Sequence, residues 1–238
     1  MTVRELSVFF PCFNEEANVE TVVERALAVL RDRDLDRFEV IVIDDGSSDE
    51  TGVRADKLAA RFDEVRVVHH VENQGYGAAL RSGFGAAALP WVFLTDGDGQ
   101  FDLNEIDVFL AAAEKADVIV GFRRERADHV GRRVNTWLWG LAVRCLFNLR
   151  IRDIDCAFKL LSRDALDRVG PLTASGAVIS TELLVGVRRA RIPIVEIGVH
   201  HYPRQAGSPS GASWRVILRA LRELLDLRVR DWRRERHS

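Results

Sequence analysis

The sequence predicts an α/β fold built on a mostly parallel, doubly wound sheet. Three observations predict it. Short apolar runs alternate with longer segments of helical periodicity through the first half of the chain. The runs are almost continuously apolar, as strands covered on both faces are. Polar clusters follow the first, second and fourth runs, at the carboxyl ends of strands where such sheets bind ligands.

In order, the predicted strands are Leu6–Phe10, Phe38–Ile43, Val65–Val68, Trp91–Leu94 and Val118–Val120. Between them, Ala17–Leu30, Thr51–Phe62, Tyr76–Ala88 and Leu103–Glu114 read as helices. Val19, Val22, Val23, Ala26, Leu27 and Leu30 form a helical stripe in the first. Ser47-Ser48-Asp49-Glu50 has capping-box spacing ahead of the second. Further on, Val134, Trp137, Leu138, Leu141, Cys145, Leu146 and Leu149 form an apolar stripe, with Trp139, Val143 and Phe147 off it. Arg124, Arg126, Arg132, Arg133, Arg144, Arg150 and Arg152 surround that stripe. The tail repeats the theme: Trp214, Ile217, Leu218, Leu221, Leu224 and Leu225 fall in helical phase among Arg215, Arg219, Arg222, Arg228 and Arg230. A wide apolar face with tryptophans and flanking arginines suits a core-packed helix or one lying on a membrane surface. Both readings stay open for the two segments.

Composition bounds the rest. The 238 residues, 47% hydrophobic and 29% charged, suit one large globular domain. No apolar stretch reaches the roughly 18–20 residues of a spanning helix; the longest, Gly83 to Leu94, contains Pro90. The N-terminus lacks the basic start and apolar core of a signal peptide, which predicts a cytoplasmic location. Cys12, Cys145 and Cys156 are scattered and odd in number, fitting neither a zinc site nor a disulfide framework. The net charge of −2 conceals an asymmetry. Residues 1–120 hold 11 Lys/Arg against 24 Asp/Glu, a net −13, and residues 121–238 hold 23 against 12, a net +11. An acidic half suits a metal site, and a basic half suits an anionic substrate or membrane surface. No nucleic-acid partner is expected.

The chemistry concentrates in Thr95-Asp96-Gly97-Asp98-Gly99-Gln100, directly after the fourth strand. Alternate residues of an extended segment point the same way, so Asp96, Asp98 and Gln100 would converge. Three oxygen donors suit a hard cation, Mg²⁺ or Mn²⁺, that keeps positions open for phosphate. A simple turn is the rival reading, because Asp and Gly are turn residues. Asp44-Asp45-Gly46-Ser47, after the second strand, offers carboxylates to a ribose diol or a base N–H. After the first strand, Phe13 could pack on a base and Glu15 accept from it. Nucleoside, diphosphate and cation would then lie along one sheet edge. The adjacent pairs His69-His70 and His200-His201 point to opposite faces of a strand and make poor chelates.

These stretches resemble the family 2 glycosyltransferases of GT-A fold, most closely the dolichol- and polyprenol-phosphate sugar synthases. The resemblance covers about residues 5–212. It rests on Phe10 to Glu16, Asp44 to Asp49, Asn73 to Ala79 and Thr95 to Gln100, typical of the superfamily. Asp153 to Lys159 and Tyr202 to Ser208 point to the polyprenol-phosphate branch. The resemblance implies a Rossmann-like, mostly parallel sheet flanked by helices, with a catalytic domain over residues 1–212. Residues 213–238 would be a basic amphipathic helix at the membrane surface. It implies nucleotide-sugar contacts at Pro11, Phe13, Glu15, Ile43 and Asp45, with Asp96 bridging ribose and diphosphate and Asp98 and Gln100 holding the cation. Arg123 and Arg133 (or Arg132, equally placed by spacing) would meet phosphate. Arg204 and Ser208 would belong to a loop that closes over the acceptor. Asp155 and Asp153 lie in the acceptor-side motif, where Asp155 would orient acceptor or sugar.

The implied reaction is inverting transfer of a hexose from GDP-mannose or UDP-glucose to a polyprenyl phosphate, by a peripheral protein at the cytoplasmic face of the membrane. The alternative acceptor is a soluble or glycan hydroxyl, which would need Asp155 or Glu182 as a base. Otherwise, Glu182 reads as a favourable first-turn charge of a helix. The sequence departs from the family pattern at Tyr76, where a basic residue is frequent, and at Ala157, where glycine is frequent. It also lacks the transmembrane hairpins many relatives carry.

Overall fold

The computed structural model describes residues 2–124, 130–176, 178–204 and 214–235, with 130–138, 214–221 and 233–235 described by backbone alone. Seven strands form one sheet in the order β3-β2-β1-β4-β6-β5-β7. They are β1 (Glu5–Cys12), β2 (Arg37–Asp44), β3 (Val65–His69), β4 (Trp91–Thr95), β5 (Val118–Arg123), β6 (Phe158–Ser162) and β7 (Ile194–Val199). All neighbouring pairs are parallel except those of β6, which runs antiparallel between β4 and β5.

Strand alternation creates two cores. Leu6, Val8, Phe10, Val40, Val42, Trp91 and Phe93 face one side; Phe9, Ile41, Ile43, Val92 and Leu94 face the other. On the first side pack α1 (Val19–Arg31), α2 (Thr51–Arg61) and α4 (Ile106–Ala112), the last preceded by a 3₁₀ turn at Leu103–Glu105. On the second lie α3 (Tyr76–Ala86), α5 (Val130–Phe147), α6 (Arg163–Val169), α7 (Val178–Arg189) and α8 (Trp214–Glu235). Each fully buried Leu, Ile or Phe contributes about 1.5–3 kcal/mol, so this double-sided burial fixes register strongly. Among the described residues, no helix is long and apolar enough to cross a membrane.

The five predicted strands and the helices between them are present, and three local readings are corrected. Ser47 does not cap α2: its Oγ accepts from Asn14 N at 3.0 Å. Instead, Asp49 Oδ1 accepts from Thr51 N at 2.9 Å, because a carboxylate two residues back already reaches the first free N–H. Along α5 the predicted stripe is only partly the buried face: its Leu146 and Leu149 pack in the core, but Leu141 and Cys145 are exposed, while the off-stripe Val143 and Phe147 are buried. The segment after β4 is a turn rather than an extended run, with Gly99 at φ 71° and Asp98 Oδ1 accepting from Gln100 N at 3.0 Å.

The strand order places the switch point between β1 and β4. Consecutive strands run outward from β1 in one direction, and β4 lies on its other side. A crevice opens at the carboxyl ends of the strands at such a point.

Candidate active site

The loop leaving β1 is held in an unusual conformation. Asn14 adopts φ 55°, which asparagine tolerates better than most residues. Its Oδ1 accepts from Ser48 N at 2.8 Å, tying the β1 loop to the β2 loop. Phe13 is thereby left 40% exposed, a ring face available for stacking. Glu15 turns inward. Its N–H donates to Thr51 Oγ1 at 2.8 Å, and its Oε2 accepts from Asn18 Nδ2 at 2.6 Å. Burial raises its pKa, and the bonds from Asn18 and Arg204 oppose that rise. Pro11 sits opposite Ile43 in the β1–β2 register, and the Ile43 side chain is wholly buried in the core.

Asp45 is saturated by its own chain. Oδ1 accepts from His70 Nδ1 at 2.6 Å and Gln74 N at 3.0 Å, and Oδ2 accepts from Gly75 N at 2.9 Å. It therefore builds the Gly75-Tyr76-Gly77 turn. Gly75 has φ 92°, a region closed to most side chains. At Gly77 a Cβ would lie within 2.6 Å of Ser175 C, because the 174–175 backbone passes directly against it and Ser175 O accepts from Gly77 N at 2.9 Å. The turn ends with the hydroxyl of the half-buried Tyr76 donating to Asp96 Oδ1 at 3.3 Å. Burial and the nearby carboxylates push the phenol well above its usual pKa, so Tyr76 is a neutral donor.

The acidic turn faces this donor. Burial, then the charge of Asp98, pushes Asp96 up to about 7, against the opposing fields of Lys159, Tyr76 and Arg123. Asp98 Oδ2 accepts from Arg204 Nη2 at 2.9 Å, and the other guanidinium nitrogen donates to Glu15 Oε1 at 3.0 Å. One cation from the far end of the chain thus bridges carboxylates after β1 and β4. The Gln100 side-chain nitrogen donates to Tyr202 O at 2.8 Å, which anchors the segment carrying Arg204.

Beyond β4, Arg123 pairs with Asp153 in bidentate fashion, Nε to Oδ2 at 2.7 Å and Nη2 to Oδ1 at 2.9 Å. Burial alone would lower the Arg123 pKa, but the Asp153 pair outweighs it and holds the guanidinium charged. The adjacent turn carries the partly buried Asp155. Lys159, wholly buried on β6, donates to Ile154 O at 3.1 Å and also to Cys156 O, which pins that turn. Burial pushes the Cys156 thiol up to about 12 and Cys12 well above its usual value, so both are inert. Arg132 and Arg133 lie on α5 where backbone alone is described, and Ser208 lies outside the described residues.

Residues 7–170 match the family model for glycosyl transferase family 2. This chain belongs to glycosyltransferase family 2. The family 2 enzyme is similar to a dodecaprenyl-phosphate galacturonate synthase of Rhizobium johnstonii, 30% identical over 94% of this chain and 65% of that protein. It also resembles the human dolichyl-phosphate beta-glucosyltransferase, 29% identical over 98% of this chain and 78% of the relative. In structure it matches glucosyl-3-phosphoglycerate synthase of Mycobacterium tuberculosis, solved with Mn²⁺, uridine diphosphate and phosphoglyceric acid. That likeness has a TM-score of 0.69 and 25% identity, over 94% of this chain and 78% of the other. The chain thus spans just under two thirds of the length of the Rhizobium relative.

The donor set of this glycosyltransferase fits a hard divalent cation. Asp98 and Glu15 present carboxylate oxygens that a guanidinium already bridges, so the edge is arranged to hold positive charge. Among the described residues no three His, Cys, Asp or Glu side chains form a ready-made cage. Mg²⁺-type sites need none, being completed by one or two carboxylates and substrate phosphates. Sequence reasoning had not assigned roles to Tyr76 and Lys159. A tyrosine between two glycines and a lysine inside an apolar run were the available signals.

Proposed function

We propose that the enzyme moves a hexosyl group from a nucleoside diphosphate sugar to a polyprenyl phosphate, with inversion at the anomeric carbon. The supporting observation is the Arg204 bridge between Glu15 and Asp98 at the switch point. UDP-glucose is the first donor to test, given the glucosyl relatives and the neighbour bound to uridine diphosphate, with GDP-mannose second. The nucleoside would stack on Phe13 beside Pro11, on the edge that Asn14, Asp45 and the buried Ile43 support. Asp98 and Gln100 would hold Mg²⁺ or Mn²⁺, with Asp96 bridging ribose and diphosphate; the cation when bound supplies positive charge to the departing diphosphate.

Arg204 leaves the carboxylates as the site fills and turns to phosphate. Arg123, kept charged by Asp153, lies on the acceptor side, with Arg133 or Arg132 and Ser208 as further acceptor contacts. The acceptor oxygen is anionic at neutral pH, so its lone pair forms the new C1–O bond as the bond to the diphosphate breaks. The electron pair leaves on the diphosphate, and no proton is transferred. Asp155 orients the acceptor. Such an enzyme works as a peripheral protein at the cytoplasmic face of the membrane.

The glycerate-phosphate enzyme of similar structure supports a second reading, a soluble acceptor activated by Asp155 as base. One assay separates them. Protein, radiolabelled UDP-glucose or GDP-mannose and a short polyprenyl phosphate are incubated with Mn²⁺ and extracted with organic solvent. Label is expected in the organic phase, only with cation. Label passing solely to soluble acceptors, with Asp155→Asn abolishing it, overturns the lipid assignment.

A further inference from the structure

Helix α8 has two apolar faces. On the inner one Leu224 and Leu227 are buried in the core, and the buried Asp231 meets Arg188 Nη2 at 3.4 Å. On the outer one Leu225, Val229 and Trp232 are 59%, 46% and 44% exposed, spaced by four and three residues along one side of the helix. The same register runs back in sequence through Leu221, Leu218 and Trp214, with a tryptophan at each end. Arg222 is exposed on its flank, where Arg215 and Arg233 also fall in register. Two of the helix's acids, Glu223 and Asp231, are engaged inward, and among the described residues Arg222 and Asp226 are its exposed charges; in sequence α8 carries seven Arg against four Asp/Glu. Leu141 of α5, on the same side of the sheet, is exposed as well. Leucine, valine and tryptophan in a stripe rimmed by arginine is the composition of a helix lying in the plane of an anionic bilayer.

The inner face also reaches the donor edge. Glu223 Oε1 accepts from Ser175 Oγ at 2.7 Å, and Arg230 reaches Thr173 Oγ1 and, at 3.4 Å, Glu182 Oε1. Glu182 in turn accepts from Thr173 N and Ala174 N at 2.8 and 2.7 Å. The 174–175 backbone secures Gly77, and Ala174 O accepts from Arg81. Beside Gly77, Tyr76 donates to Asp96. A continuous set of contacts therefore runs from α8 to the acidic turn.

We propose that α8 docks by its outer stripe on an anionic bilayer, and that docking tightens the donor site through Glu223 and Arg230. This rests on the reading that the enzyme meets its acceptor at a membrane. Docking holds α8 in place, α8 fixes 173–175, and that segment fixes the turn presenting Tyr76.

The test uses the full chain and vesicles of phosphatidylglycerol or phosphatidylcholine, all without polyprenyl phosphate. Failure of the acceptor assignment therefore leaves the readout intact. Cosedimentation reports docking, and calorimetry reports the affinity for UDP with Mn²⁺. Phosphatidylglycerol vesicles should sediment the protein and tighten UDP binding about fivefold or more, the usual floor for coupled sites. L225S/V229S/W232S should lose both effects yet keep its circular dichroism and vesicle-free UDP affinity. E223A/R230A should still sediment but show no tightening. The proposal is overturned by absence of sedimentation, by a triple variant that sediments normally, or by tightening that survives E223A/R230A. Vesicle-free self-association lost in the triple variant, without lipid binding, assigns the stripe to a second copy of the chain.

Discussion

Asp96 is a carboxyl that its surroundings push up to about 7 from an ordinary 3.8. The folded state therefore binds more protons than the unfolded one between those values. By linkage, this group's contribution to stability falls as pH rises from about 4 to about 7 and stays unfavourable above that. Asp96→Asn should raise the melting temperature of the cation-free protein above pH 7 and change it little below pH 4, while turnover drops about 100-fold or more. Thermal melts at both pH values decide; equal effects at the two would show an ordinarily solvated carboxyl. At Asp98 the consequence is different, because its oxygens already face a positive charge in Arg204. Asp98→Ala should weaken Mn²⁺ binding in the presence of UDP by at least about tenfold, the scale on which even outer-shell partners act. Calorimetry with the metal measures this directly, and unchanged affinity would remove Asp98 from the donor set.

Among the elements, α3 shows how backbone approach and chemistry are joined. Gly77→Ala drives a methyl group into the 174–175 backbone and should cost about 1–3 kcal/mol in denaturant unfolding. Gly85→Ala, on the same helix with nothing within 4 Å, should instead stabilise by about 0.5–1 kcal/mol. Similar losses at both sites would mean that 174–175 yields easily. The end of β3 gives a pH signature. His69 lies 3.0 Å from Asp56 and 2.9 Å from Asp44, and those bonds, Asp56 first, raise its pKa above 6.5. Its stabilising effect is complete below 6.5 and is lost as pH rises through the folded value. The gap in melting temperature between wild type and His69→Gln should follow that course. These elements also mark where the sequence was legible. β1 to β5 stood out because both faces of each strand needed apolar residues. β6 did not, since Lys159 interrupts a five-residue strand whose antiparallel partners are fixed only by the fold. β7 was hidden by Glu196 and Gly198. In α5 more than one face was apolar, so periodicity alone placed Leu146 and Leu149 correctly but missed the buried Val143 and Phe147. The acidic turn was visible as a motif, but the Arg204–Glu15 pairing across 189 residues has no local signal.

At the scale of the whole molecule the charge asymmetry acquires a geometry. The acidic half supplies Glu15, Asp96 and Asp98, and the basic half supplies Arg123, Arg204 and the arginines of α8. On the proposed reaction donor and acceptor are both anionic, and they would approach fields of opposite sign. The donor diphosphate would meet carboxylates, which repel it unless a cation intervenes; an acceptor phosphate would meet guanidinium groups, which attract it. Raising ionic strength from about 0.01 to about 0.15 M shortens the screening length from about 30 to about 8 Å. Salt should therefore weaken capture of the acceptor, seen as a rise in its KM. In chelator, where repulsion opposes binding, the same salt should leave UDP affinity unchanged or improve it. With saturating Mn²⁺ the donor response should turn to weakening, because the field at the edge has changed sign. Titrations of UDP with chelator and with Mn²⁺, each at both ionic strengths, measure that reversal. Weakening by salt to the same degree in both would show that Arg204 already neutralises the acidic edge before any cation arrives.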